Sequence, residues 1–263
     1  MRRIQFFEFH ELAGFPKVLR DLVTDFLSSF ASLLKPYGVV AELLADAVAQ
    51  SGAEKIIDLC SGAAAPILTV QHKLDARNKP ITVSISDKFP NSAAFAQIER
   101  QASGRVTPVY DSIDATSVPE EMRGFRTIFT AFHHFPQKEA REILADAREK
   151  GQGIGIFEYT ERSPAWVLYL LTIPAVVWIC SLGIRPLSWQ RLVFTYLIPL
   201  IPLFVCFDGA ISCLRTYSPA ELQALVDEIE ADFSAEGERY EWQVGQIRSM
   251  YIFRITYLLG CPR

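Results

Sequence analysis

The chain has 263 residues, enough to bury one full core, and half of them are hydrophobic. A formal net charge of -4 and the lack of any basic tract exclude a general attraction to nucleic acid. The five cysteines (Cys60, Cys180, Cys206, Cys213, Cys261) show no metal-ligand spacing and read as reduced core residues of a cytosolic protein.

Residues 1–16 are rich in aromatics, and Glu8, His10 and Glu11 interrupt the apolar core that a signal peptide needs. Pro16 suits a helix start. Val18, Leu19, Leu22, Val23, Phe26, Leu27, Phe30, Leu33 and Leu34 then recur at three and four, which predicts an amphipathic helix over 17–34. A second helix is predicted over 39–50, stopped by Ser51-Gly52.

The rest of the chain is organised around Lys55-Ile-Ile-Asp-Leu-Cys-Ser-Gly-Ala-Ala-Ala-Pro66. Ile56, Ile57 and Leu59 make the short apolar run of a buried parallel strand. Asp58 sits at its C-terminal end, and Ser61-Gly62 with small residues makes a tight turn into a helix over 67–74. In open α/β sheets ligands sit at that edge. The turn has neither the three glycines of a dinucleotide fingerprint nor the Gly-Lys-Ser/Thr of a P-loop. It resembles motif I of class I S-adenosylmethionine-dependent methyltransferases, with Ala63 and Ala64 standing where that family commonly has glycine.

The resemblance continues for about residues 37–160 and 215–260. Ile81–Asp87 is strand-like and ends in a second carboxylate. The family places its ribose-binding acid there, so it implies that Asp87, with Lys88 beside it, holds the ribose; a helix cap ahead of Pro90-Asn91 is the other reading. A helix over 91–102 should close at Ser103-Gly104, with a short strand over 106–110 behind it. The family often has an acid at this point for the adenine amino group. Asp114, followed by Ala115, and Asp111 are both candidates. The resemblance assigns Asp58, Cys60, Ser61, Gly62 and Ala63 to the methionine portion of the cofactor.

A strand over 126–132 runs into His133-His134-Phe135-Pro136, so Thr130 to Phe135 occupies the family's fourth motif, between cofactor and acceptor. A neutral imidazole is an available base near pH 7, so His133 or His134 could orient or deprotonate an acceptor; a packing role is the alternative. Adjacent histidines seldom converge on one ion, and no metal is expected. A helix over 137–150 leads to a fifth strand over 153–159. That strand places Glu158 at the same edge, as an acceptor contact, a second base, or a partner for Arg162.

Ser163–Ile184 is 22 residues without a charge, and Leu192–Phe207 is 16 more, joined by a link bearing Arg185 and Arg191. The first is long enough to cross a hydrocarbon core of about 30 Å and the second is not quite. Pro174, Pro199 and Pro202 would kink both. A two-helix hairpin would export the two arginines against the positive-inside preference. The expectation is a hairpin lying in the headgroup region. A true two-pass hairpin, or a hydrophobic lid or dimer interface in a cytoplasmic protein, are the alternatives. Beyond it, Ser218-Pro219-Ala220-Glu221 is a capping box opening a helix to about 231. Segments 240–247 and 250–258 alternate as closing strands.

The expected fold is thus α/β: a Rossmann-like seven-stranded sheet with its last strand antiparallel and helices on both faces. Residues 1–36 are read as an N-terminal helical cap, and 37–263 as the methyltransferase domain, interrupted by the apolar hairpin 163–207. The resemblance implies S-adenosylmethionine as cofactor and methyl transfer to a small lipophilic acceptor at the cytoplasmic face of a membrane. A non-catalytic membrane-surface scaffold that keeps the sheet is the alternative.

Overall fold

The computed structural model describes residues 2–12, 14–77, 79–102, 104–185, 187–233, 239–249 and 253–263. In chain order the elements are α1 (Lys17–Leu34), α2 (Ala41–Ser51), β1 (Lys55–Leu59), α3 (Ala65–Asp75), β2 (Thr82–Asp87), α4 (Ser92–Gln101) and β3 (Val106–Ser112). Then come β4 (Phe125–Phe129), α5 (Gln137–Glu149), β5 (Ile154–Glu158), α6 (Pro164–Leu170) and α7 (Ile173–Ser181). The chain closes with α8 (Trp189–Leu192), α9 (Leu200–Arg215), α10 (Pro219–Asp232), β6 (Tyr240–Ser249) and β7 (Phe253–Pro262). Ser103, Pro186 and the Met250 end of the last predicted strand lie outside the described residues.

The chain divides into two compact units, Lys35–Tyr159 with Tyr217–Arg263, and Met1–Leu34 with Thr160–Thr216. The first holds the sheet, ordered β3-β2-β1-β4-β5-β7-β6. β1 to β5 pair in parallel, and β7 runs antiparallel to both β5 and β6. Because β1, β4 and β5 are covered on both faces, each carries consecutive apolar residues, Ile56-Ile57, Ile128-Phe129 and Ile156-Phe157. One core layer joins α2 and α3 to the sheet through Leu44, Val48, Ile67, Val70 and Phe157. The opposite layer joins α5 and α10 to it through Ile143, Leu144, Leu225 and Ile229. Gly153 is dictated by packing: a Cβ there would lie 2.4 Å from a ring carbon of Phe125. The capping box of α10 forms as expected, with Ser218 Oγ accepting from Glu221 N and Glu221 accepting from Ser218 N.

The second unit is helical. Leu22, Val23 and Phe26 of α1 pack with Leu170, Ile173, Val177, Ile184, Ile201 and Val205 of the insertion. The N-terminal segment, expected from the sequence as a separate cap, is therefore part of one body with the insertion. Glu8, 1% exposed, and Asp208, 4% exposed, anchor it. Asp208 accepts from the amide of Phe9 at 2.7 Å, and Arg215 donates to Glu8 and Glu11 at 3.2 and 2.8 Å.

The structure corrects two element boundaries. β4 ends at Phe129, not Phe132, because Thr130 turns into the left-handed region at φ 49° and Phe132–His134 form a short 3-10 turn. The apolar run ending at Phe207 continues as helix to Arg215. Asp208 does not end it, since its charge is taken up by backbone and side-chain donors of the N-terminal segment. Among the described residues no single helix is long and apolar enough to cross a membrane.

Candidate active site

Going outward from β1, the chain visits β2 and β3 on one side and β4 and β5 on the other, so strand order reverses between β1 and β4. That reversal opens a crevice beyond the strand C-termini. The C-terminal tips of β1, β2, β3, β4 and β5 all end at that edge.

The β1 tip is stitched to its neighbours from beneath. Register places Asp58 opposite Thr127 on β4 and Ile85 on β2. Thr127 Oγ1 donates to Asp58 Oδ1 at 2.6 Å, and Ser61 Oγ donates to Asp58 Oδ2 at 2.7 Å. Ser61 N donates to Ser86 O at 2.9 Å, and Ser86 N donates back to Ser61 Oγ at 3.2 Å. Asp58 is only 3% exposed, and burial raises its carboxyl to about 7 against these two stabilising hydroxyls. Asp58 and Ser61 are thus tied to each other and to β4 beside the turn.

The turn above is wound tightly: Cys60, Gly62 and Ala64 all lie in the left-handed region, at φ 55°, 51° and 53°. For Cys60 and Ala64 this is strained backbone, a feature that concentrates at functional sites. Ala63, half-buried, sits between two of them. Gly62 N donates to Asp87 Oδ2 at 2.9 Å, which closes the β1 turn onto the β2 tip. Asp87 Oδ1 accepts from Phe89 N at 2.9 Å. Each carboxylate oxygen keeps further acceptor capacity for ligand hydroxyls.

Lys88 Nζ donates to Asp114 Oδ2 at 2.7 Å, and Thr116 donates through N and Oγ1 to Asp114 Oδ1. The lysine and then the Thr116 amide hold the Asp114 carboxyl down at about 2. Burial, then the negative charges of Asp87, Asp58 and Asp114, push the Cys60 thiol far above its ordinary range, with Lys88 opposing them. Of the two acids offered for the adenine side, Asp114 is half-buried and paired with Lys88, while Asp111 is an exposed residue of β3. Ala115 is 3% exposed and packs in the core with Ile113 and Val118.

On the other side of the reversal, the Tyr37 hydroxyl is hydrogen-bonded to that of Thr130, whose own N donates to Phe157 O at 2.9 Å. His133 is held by Glu158 twice. Its N–H donates to Glu158 Oε1 at 3.1 Å, and its Nδ1 lies 2.9 Å from Glu158 Oε2. Both side chains are about 1% exposed. The His134 ring stands 4.2 Å from that of His133, centre to centre. A buried histidine whose Nδ1–H is fixed by a carboxylate carries its neutral lone pair on Nε2, the arrangement of an oriented base.

Sequence reasoning does not single out three residues at this edge: Thr127, Tyr37 and Phe89. Phe89 is 82% exposed two residues after Asp87, a placement with no packing explanation.

No family model matches the chain, and no curated protein matches it in sequence. Solved structures do. The mitomycin 7-O-methyltransferase MmcR superposes with a TM-score of 0.53 at 14% identity, covering 96% of this chain and 60% of that one. The methyltransferase domain of bacterial CtHen1-CN superposes with a TM-score of 0.50 at 11% identity, covering 88% of this chain and 99% of that one. The chain has the class I methyltransferase fold. The seven strands with β7 antiparallel are those expected from the sequence. The crevice at the β1/β4 reversal lies at the end of that sheet where this architecture places ligands.

Proposed function

We propose that the chain is an S-adenosylmethionine-dependent methyltransferase acting on a small lipophilic acceptor. The observation that carries this reading is the Asp87 carboxylate at the β2 tip, which accepts the Gly62 amide of the β1 turn at 2.9 Å beside the strand-order reversal. The half-buried Asp87 offers acceptors for two vicinal hydroxyls. The donor set therefore fits the cofactor. Bound S-adenosylmethionine supplies an electrophilic methyl group on a sulfonium centre.

Asp87 holds the ribose, Asp114 and the exposed ring of Phe89 face the adenine side, and the Cys60–Ala63 turn borders the methionine portion. Asp58 sets the turn from below through Ser61 and Thr127. His133 accepts the acceptor's proton at Nε2, and Glu158 Oε2 stabilises the imidazolium by holding Nδ1–H. Glu158 is thereby a positioning residue rather than a second base.

The test is transfer of labelled methyl from S-adenosylmethionine into fractionated lipids and aromatic metabolites by the full chain. Transfer lost in His133→Ala is the expected result. Cofactor binding without transfer to any fraction would favour the non-catalytic scaffold instead.

A further inference from the structure

The helical unit carries apolar surface on both its inside and its outside. Its core is already complete, built from α1, α7 and α9 through residues such as Val23, Val177 and Ile201. Yet the insertion also turns Leu171 (75% exposed), Ile179 (75%), Trp189 (67%) and Leu197 (76%) outward. A solvated helical bundle presents polar residues on the face away from its core. Apolar patches of this kind mark an interaction surface.

Three features choose the occupant. First, the charges between Ser163 and Phe207 are Arg185 and Arg191 alone. Arg191 is turned inward, 2% exposed, with Nη2 on Asp25 at 2.7 Å and Nη1 on the Ile184 carbonyl at 3.1 Å. The outward face therefore bears one cation, the exposed Arg185, and no anion. Second, the polar atoms of Trp178, Tyr196 and Thr172 are satisfied within the unit. Trp178 Nε1 donates to Thr195 O at 3.0 Å, Tyr196 OH donates to Trp178 O at 2.5 Å, and Thr172 Oγ1 donates to Tyr169 O at 2.7 Å. Such side chains enter a medium without hydrogen-bonding partners at little cost. A protein interface instead carries about one cross-interface hydrogen bond per 100–200 Å². A second copy meeting the same face would set like charge near like charge. Third, among the described residues no single helix is long and apolar enough to span, and the two apolar helix pairs are sharply bent. The α6/α7 pair bends by 45°, and the pair from Trp189 to Arg215 bends by 73°.

We infer that α6, α7, α8 and the start of α9 dip into one leaflet of an anionic lipid bilayer, with Arg185 at the headgroup level. This surface is independent of methyl transfer, so its failure would leave the catalytic reading untouched. Arg191, expected from the sequence in the headgroup region beside Arg185, is instead an internal strut to α1.

Flotation of the full chain with vesicles of phosphatidylcholine and phosphatidylglycerol tests it. The wild type co-floats, and the variant Leu171→Glu/Ile179→Glu/Leu197→Glu, with an unchanged circular-dichroism spectrum, partitions at least about a hundredfold less. Vesicles also blue-shift the tryptophan emission of the wild type, and Trp178→Phe/Trp189→Phe removes that shift while still floating. Absence of flotation by the wild type, or equal flotation by the triple variant, overturns the inference. So does a stable lipid-free dimer that the three glutamates dissociate, since that assigns the face to a second copy.

Discussion

The carboxylate of Asp87 accepts the amide N–H of Gly62 at 2.9 Å, which joins the β1 turn to the tip of β2 across 25 residues of sequence. The same carboxylate takes the Phe89 amide on its other oxygen. One side chain thus shapes the crevice and faces the ligand. Asp87→Ala removes a charged acceptor from both amides and from the ribose hydroxyls. A hydrogen bond to a charged group contributes about 1.5–3 kcal/mol, so S-adenosylmethionine affinity should fall by roughly a hundredfold. Calorimetric titration of wild type and variant measures it, and equal affinities would remove Asp87 from the site.

Glu158 holds both the backbone and the ring of His133. Glu158→Gln keeps the shape and loses the charge that stabilises the imidazolium. Turnover should fall by about a hundredfold or more, while cofactor affinity stays unchanged. Steady-state turnover beside a calorimetric cofactor titration measures both, and unimpaired turnover would dismiss the dyad.

Asp58 makes stability depend on pH. Its carboxyl is raised from 3.8 to about 7 in the folded chain, chiefly by burial. Between those values the native state binds more protons than the unfolded state, so stability falls as pH rises through the window. Below the window the penalty is absent, and above it the penalty is complete. Asp58→Asn should flatten this part of the stability curve. Urea midpoints of both proteins below and above the window check it; parallel curves would contradict the buried, raised carboxyl.

Cys60 stands at φ 55° with a side chain that disfavours that conformation. Cys60→Gly should relieve about 1 kcal/mol of strain and raise Tm by about 2–4 °C. A lower Tm would mean that the thiol's packing outweighs the strain. Differential scanning calorimetry distinguishes the two.

The parts of the fold legible in the sequence are those set by local burial. Ile56-Ile57 before Asp58, and Ile154–Phe157, are apolar because both faces of their strands are covered. The carboxylate ending β2 is visible as the close of a β-branched, alternating segment, Thr82–Asp87. What depends on register is not visible. Thr127 meets Asp58 across 69 residues, and Arg191 meets Asp25 across 166, through alignments that no local pattern encodes. The left-handed turn at Thr130 is equally hidden, since a β-branched residue predicts extended backbone there and so too long a β4. The breaks in the apolar insertion follow Pro174 and Pro199 as expected, whereas its continuation through Asp208 depends on partners in the N-terminal segment.

Titration of S-adenosylmethionine into the full chain addresses the crevice most directly. Saturable binding at one site per chain, abolished or severely weakened by Asp87→Ala and retained by Glu158→Gln, is the expected result. No heat of binding from a sample with native circular dichroism, or binding indifferent to Asp87, would contradict it.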